Sequence, residues 1–277
     1  MSFPAGESSS DPTMKFPFEF PQNTLAGKVA LLAGGSGGLG SATAFLLARE
    51  GVRLVVGYRS NRSRAEALQT ALQSLGQRIE LVGGDLNHPG VPEGYIRRAA
   101  ALGPLTAVAI FVGDPARAAS GTAAAPEAEA ARMADSWKAN FLGPYLLAQK
   151  AAQQMAAQGT PGSIVLVSTM QAVAPFEKSA VYAAPKAALT HAARILAHEF
   201  GGRSNICVNV VAPGVTLAGM AAASVASGKY ERFIQDGIIP RYGSAEDVAR
   251  VVRLLLEPDC YITGQVITVD GGLTLRR

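Results

Sequence analysis

The fold of this chain is decided by residues 33–40, which read Ala33-Gly34-Gly35-Ser36-Gly37-Gly38-Leu39-Gly40. The apolar run 29–33 precedes this stretch, and residues 41–50 follow it with apolar positions at helical spacing. A strand that enters such a turn and leaves as a helix presents the helix's unpaired N–H groups, and the positive end of its dipole, to whatever occupies the turn. The glycines let the backbone reverse sharply and approach that group closely. A pyrophosphate is the group this geometry suits.

Outward from the turn, strands alternate with helices. The sequence predicts further strands over 52–58, 79–82, 105–112, 163–168, 206–211 and 266–269. It predicts helices over 63–75, 181–200 and 245–256, and a long helical stretch over 124–158 interrupted at Gly143-Pro144. Strands this short and this apolar are buried on both faces, as in a parallel sheet covered by helices. The alternation implies βαβ units, hence an α/β, Rossmann-type doubly wound parallel sheet of seven strands with helices on both faces. Residues 24–277 read as a single dinucleotide-binding catalytic domain, with no internal repeat. Residues 1–23 read as a flexible N-terminal tail: three phenylalanines, Phe16, Phe18 and Phe20, stand among prolines that oppose both helix and sheet. No apolar h-region follows a basic start, so the tail does not read as a secretory signal.

Composition narrows the function classes. The chain has 277 residues, 48% hydrophobic and 17% charged, with a mean hydropathy of +0.19. That excludes a disordered chain. No apolar run approaches the ~20 residues of a membrane helix, so no membrane partner is expected. Cys207 and Cys260 are too few for a disulfide framework and read as buried free thiols of a cytoplasmic protein. The net charge of +4 is mild. Its densest basic cluster, Arg59, Arg62 and Arg64, has no interleaved aromatics, which points away from nucleic acid and toward a small anionic ligand. His88, His191 and His198 fit no zinc spacing, and no metal is assigned.

Chemistry concentrates in the second half. Tyr182 and Lys186 are four residues apart and share one helix face. A phenol titrates near ~10, and an adjacent ammonium favours the phenolate. The pair therefore reads as a proton donor and acceptor tuned by its lysine. Pro185 stands between them, harmless near a helix start and kinking deeper in. Ser168 and Thr169 end the fifth strand, where a hydroxyl can polarise a carbonyl oxygen. At the end of the second strand, Tyr58, Arg59, Ser60 and Asn61 include no acid, and the planar fork of Arg59 suits a 2′-phosphate. That favours NADP(H) over NAD(H).

Several of these elements occur in an order that resembles the short-chain dehydrogenase/reductase family across about residues 25–275. They are the spacing of Gly34, Gly38 and Gly40, Asp85-Leu86 after the third strand, Tyr182-Ala-Ala-Pro-Lys186, Asn209-Val-Val-Ala-Pro213-Gly214, and Tyr261-Ile-Thr-Gly-Gln-Val-Ile-Thr-Val-Asp-Gly-Gly272. Ile239-Pro-Arg-Tyr-Gly243 and the C-terminal motif resemble its 3-oxoacyl-ACP reductase branch. The resemblance implies an enzyme that interconverts a ketone or aldehyde and an alcohol by hydride transfer, assembled as a homotetramer. It implies that Gly34, Ser36, Gly37, Gly38, Leu39, Gly40, Asp85, Leu86, Gly113, Tyr182, Lys186, Pro213, Gly214 and Thr216 contact the cofactor, Lys186 through ribose hydroxyls. It places Thr169, thirteen residues before Tyr182, where the family has its catalytic serine. It makes Asn140 the residue that holds the lysine through a water.

The chain also departs from the family. Phe111-Val112-Gly113-Asp114-Pro115 replaces N-N-A-G, and Ala218 replaces a threonine near Thr216. Gly37 fills a turn position where many NADP-using relatives carry a basic residue. These departures keep open a second reading, a dinucleotide-sensing or scaffold protein with impaired catalysis. Substrate choice is expected to lie in segment 215–240, an apolar lid with Met220, Ala221–Ala223, Tyr230, Phe233 and Ile234, and with Gly219 and Gly228 as points of movement.

Overall fold

The computed structural model describes residues 23–115 and 126–276. The chain runs β1 (Val29–Ala33), α1 (Gly38–Arg49), β2 (Arg53–Tyr58), α2 (Arg62–Gln73), β3 (Ile79–Gly83), α3 (Val91–Ala100), β4 (Leu105–Ile110) and α4 (Pro126–Trp137). It continues through α5 (Gly143–Gln158), β5 (Gly162–Val167), α6 (Ala180–Phe200), β6 (Ile206–Pro213), α7 (Ala222–Ala226), α8 (Arg232–Gln235), α9 (Ala245–Leu255), β7 (Val266–Val269) and α10 (Leu273–Arg276). The strands form one parallel sheet in the order β3-β2-β1-β4-β5-β6-β7.

Burial follows from the pleat. All five residues of β1 are fully buried, and successive side chains serve opposite faces. Val29, Leu31 and Ala33 pack with Tyr95 and Ile96 of α3, Leu147 and Met155 of α5, and Leu189 and Leu196 of α6. Ala30 and Leu32 pack with Ala44 and Leu47 of α1, Leu72 of α2, and Val248 and Val252 of α9. The strand order reverses around β1, so a crevice opens between the C-terminal ends of β1 and β4, where doubly wound sheets place their ligands. Ala33 pairs with Ile110 there, and the Phe111 N–H donates to the Ala33 carbonyl at 2.8 Å. The glycine turn and segment 111–115 therefore leave the sheet side by side.

The structure corrects the sequence reading in several places. Helix α3 was not anticipated, because Pro92 and Gly94 obscure its pattern. Pro92 falls in the first turn, where a missing N–H costs nothing. The long helical stretch breaks earlier than Gly143-Pro144: a π turn spans Lys138–Leu142, and Gly143-Pro144 opens α5. Cys207 is buried but Cys260 is only half-buried, and the two are neighbours, with the Cys207 thiol donating to the Cys260 carbonyl at 2.7 Å. In segment 215–240, Phe233 and Ile239 are core residues, packed with Met170, Val215 and Leu273, while Met220 remains exposed. The expected tail, apart from Asn23, lies outside the described residues. Among the described residues no helix is long and apolar enough to cross a membrane, and no three His, Cys, Asp or Glu side chains gather as a metal set.

Candidate active site

A cleft of about 1180 Å³ opens at the C-terminal edge of the sheet. Every cofactor or catalytic candidate read from the sequence lines it except Asn140. The glycine turn forms its floor. A Cβ at Gly40 would lie 2.6 Å from the Gly34 carbonyl oxygen and 2.6 Å from the Gly35 Cα, so α1 can start this close to β1 only without a side chain there. Ser36 is buried in the turn.

At one end of the cleft, Asp85 accepts from the backbone N–H of Asn87 at 2.9 Å and from its Nδ2 at 2.8 Å. The backbone bond from Asn87 is the largest influence holding the Asp85 carboxyl below its ordinary range, and the charge of Arg59 adds to it. Asn87 Oδ1 is buried at the cleft with no hydrogen-bond partner among the described residues. A buried acceptor of this kind calls for a donor from a bound group. Arg59 and Arg64 line the same end. Arg62 does not: it is exposed and paired with Glu66 at 2.8 Å. The Asn61 carbonyl oxygen caps α2 by accepting from the Arg64 N–H at 3.0 Å, which leaves the Asn61 amide nitrogen as its donor. Leu86 is buried in the core beneath the cleft.

At the other end, Tyr182 and Lys186 lie on α6. Lys186 is 2% exposed, and its Nζ donates to the carbonyls of Val112 and Val167, both at 3.0 Å. Burial pulls its pKa down to about 7. The expected lowering of the Tyr182 phenol is not found. Burial pushes it up to about 12, and Tyr230 and Asp114 push the same way. Only a hydrogen bond with Thr169 opposes them. Burial dominates, and the Lys186 nitrogen is turned to the backbone carbonyls of Val112 and Val167.

The two hydroxyls at the end of β5 also separate. Ser168 is buried and donates to the Lys186 carbonyl at 3.2 Å, while accepting from Thr190 at 3.0 Å. Its hydroxyl ties α6 to the sheet. Both hydroxyls line the cleft, and of the two it is Thr169 that is hydrogen-bonded to Tyr182.

Asn140 sits in the π turn, fully buried. Its Oδ1 accepts from the Asp114 N–H at 3.0 Å, and its Nδ2 donates to the Asp114 carbonyl and to Ser136 Oγ, both at 2.9 Å. Asn140 thus pins the segment that replaces N-N-A-G. Gly113 lies between Asn140 and the lysine: a Cβ there would stand 2.9 Å from Asn140 Oδ1 and 3.1 Å from Lys186 Nζ. Thr216 is buried, its hydroxyl donating to the Gly214 carbonyl at 3.2 Å. Sequence reasoning missed Asn87 and Arg132 as lining residues, and it singled out Arg64 only as part of the basic cluster. Helical spacing carried a signal for Arg132, since it lies two turns before Asn140 on the same helical path.

Comparison with known proteins agrees with this geometry. Residues 33–274 match the family model described as enoyl-(acyl carrier protein) reductase. An uncharacterised oxidoreductase of Methylorubrum extorquens is 32% identical over 90% of this chain and 98% of its own length. The chloroplastic NADPH-dependent aldehyde reductase 2 of Arabidopsis thaliana is 29% identical, over 92% of this chain and 97% of its own. A short-chain dehydrogenase of Burkholderia cenocepacia solved in complex with NADP superposes with a TM-score of 0.78 at 31% identity, covering 90% of this chain and 99% of that one. A glycine turn at the switch point, a tyrosine and lysine one turn apart beside it, and this span of similarity have one explanation: the chain belongs to the short-chain dehydrogenase/reductase family, enzymes that use a nicotinamide dinucleotide to interconvert alcohol and carbonyl groups.

Proposed function

We propose that this chain is an NADP(H)-dependent reductase of a ketone or aldehyde, with Tyr182 as the proton donor. One observation carries the reading: Tyr182, Thr169 and Lys186 line the same cleft as the glycine turn and Arg59. The residues fit the dinucleotide. The turn has no room for side chains at Gly40, and the orphaned Asn87 Oδ1 suits the amino group of an adenine. Gly34–Gly40 would hold the pyrophosphate, Asp85 and Asn87 the adenine, Arg59 with Ser60 and Asn61 the 2′-phosphate, and Gly113, Pro213, Gly214 and Thr216 the nicotinamide side. When bound, the nicotinamide gives or takes the hydride.

The chain's own residues manage the proton. A phenol raised to about 12 keeps its proton at neutral pH, so Tyr182 meets the substrate as a donor. Thr169 donates to the same oxygen and stabilises charge as it develops. Lys186, with a pKa near 7, is within range of exchanging a proton at physiological pH. Asn140 holds the Asp114 backbone in place beside it.

Residues 24–277 act in this reading as one domain behind the tail 1–23. The exposed apolar side chains of Trp137, Leu142 and Ile195 support a homotetramer, testable by light scattering. A cytoplasmic location fits the free thiols. The resemblance to the 3-oxoacyl-ACP branch puts acyl-carrier thioesters on the substrate panel. The deciding experiment measures NADPH and NADH consumption with a panel of ketones and aldehydes, beside cofactor binding by fluorescence. NADPH-dependent turnover is the expected result. Binding without turnover of any carbonyl would favour the sensor or scaffold reading.

A further inference from the structure

The catalytic end of the cleft carries an excess of positive charge that the cofactor does not explain. Arg132 lies on α4, which packs against α6 through the Ser136 hydroxyl and the Val181 carbonyl, and Arg132 lines the cleft. Its Nε is fully buried yet has no hydrogen-bond partner among the described residues. Lys178 and Lys229 line the same end: Lys178 shortly precedes Tyr182, and Lys229 lies 5.4 Å from the ring of Tyr230. Among the described residues, Glu177 is the acid that lines this end and Asp114 stands near enough to act on Tyr182, and no ion pair joins either to Arg132. The groups suited to the cofactor's phosphates, the glycine turn and Arg59, stand at the other end. A buried guanidinium N–H without an acceptor is costly, so the binding of an acceptor at this point is favoured.

We infer that Arg132 anchors a carboxylate carried by the substrate, so that the preferred carbonyl compound is an oxo acid rather than a neutral ketone. Nε–H and a neighbouring Nη–H form one edge of a planar fork, which matches the two oxygens of a carboxylate. Lys178 and Lys229 strengthen the field without fixing orientation. This deepens the reductase reading and rests on it.

The test uses the full-length chain and a series of linear oxo acids, with two to six carbons between carbonyl and carboxylate, each beside its methyl ester. NADPH-dependent kcat/KM is measured for wild type, Arg132→Gln and Arg132→Lys. Binding of the same compounds to the NADP-loaded protein is measured by calorimetry. At one or more spacings the wild type should prefer acid to ester at least tenfold. Arg132→Gln should reduce that ratio at least tenfold, and Arg132→Lys should restore part of it. Esters reduced as well as acids at every spacing, or an acid preference that survives Arg132→Gln, would overturn the carboxylate anchor and leave the reductase reading standing. Acid binding that depends on Arg132 without turnover of any carbonyl would support the anchor and overturn the reductase reading. Absence of acid binding overturns the anchor outright.

Discussion

The hydroxyl of Ser136 donates to the carbonyl oxygen of Val181 at 2.6 Å, and that carbonyl is available because the residue four places on is Pro185. A proline has no N–H to close the helical bond and ordinarily weakens a helix interior. Here the orphaned acceptor is taken up from a neighbouring helix, and α6 continues to Phe200. Ser136 Oγ in turn accepts from Asn140 Nδ2 at 2.9 Å. The proline in the Tyr182–Lys186 motif and the asparagine of the π turn are thus joined through one hydroxyl.

Ser136→Ala should lower stability by ~1–3 kcal/mol, because it leaves Val181 and Asn140 each short of a partner. In a Pro185→Ala background the new N–H can pair with the Val181 carbonyl, and the same change should cost less. A double-mutant cycle from urea unfolding reads the coupling, with ~0.5 kcal/mol or more expected for groups in one network. Additive costs would show that the two residues act separately.

The proposed roles of Ser168 and Thr169, the two hydroxyls that follow β5, give a second test. Thr169→Val should reduce turnover by roughly a hundredfold, the scale of losing one donor to a developing oxyanion, with little change in unfolding midpoint. Ser168→Ala should do the reverse, costing ~1 kcal/mol of stability through its lost bond to Lys186 with the smaller effect on kcat. Tyr182→Phe should abolish turnover while NADPH binding, measured by fluorescence, persists. Turnover above about a tenth of wild type, a loss below ~1.4 kcal/mol of barrier stabilisation, would mean that another group supplies the proton.

Much of the fold was legible because its signals are local. β1 and β7 have the bounds the sequence predicted; β1, buried on both faces, shows as an uninterrupted apolar run, whereas β7 is a half-buried edge strand. α3 was hidden because Pro92 and Gly94 lower helix propensity, while burial of Tyr95, Ile96 and Ala99 decides the outcome. The motifs placed Tyr182, Lys186 and Thr169 in one cleft. They did not give the direction in which the phenol titrates, because that depends on burial first and on where the lysine points. Lys186 turns to Val112 and Val167, and neither carbonyl is identifiable from spacing. The unpartnered atoms of Asn87 and Arg132 are likewise a property of three-dimensional packing alone.

The buried lysine also leaves a mark on stability. Its pKa is about 7 folded against an ordinary 10.5. Between those values the unfolded chain holds the proton and the folded chain does not, so stability rises with pH across that window. Below about 7 both forms are protonated and the slope vanishes. Without cofactor, the stability difference between wild type and Lys186→Met should therefore shift in favour of wild type from pH 7 to 10, by on the order of 3 kcal/mol. Parallel curves from urea unfolding at each pH would show that Lys186 titrates normally.

Cofactor choice is the most direct test of the proposed function, and it centres on Arg59. A 2′-phosphate carries up to two negative charges, and an acid at the end of β2 would repel it; residues 52–64 contain none. The nearest acid across the cleft, Asp85, is engaged by Asn87, and Arg59 makes no ion pair among the described residues. Its guanidinium is therefore available to a phosphate at the cleft. Arg64 lines the same end and supplies a second cation in place of the one the turn lacks at Gly37, whereas Arg62 is exposed and committed to Glu66. Charged hydrogen bonds of this kind contribute ~1.5–3 kcal/mol, or roughly ten- to a hundredfold in affinity. Arg59→Ala should weaken NADPH binding by that factor and leave NADH binding within about twofold. Arg64→Ala should have a smaller effect in the same direction, and Arg62→Ala should have none. Titrating both cofactors against the four proteins separates these outcomes. Equal affinity for NADH and NADPH in the wild type, or an unchanged preference in Arg59→Ala, would reduce Arg59 to a solvated surface charge and place the determinant elsewhere in the cleft.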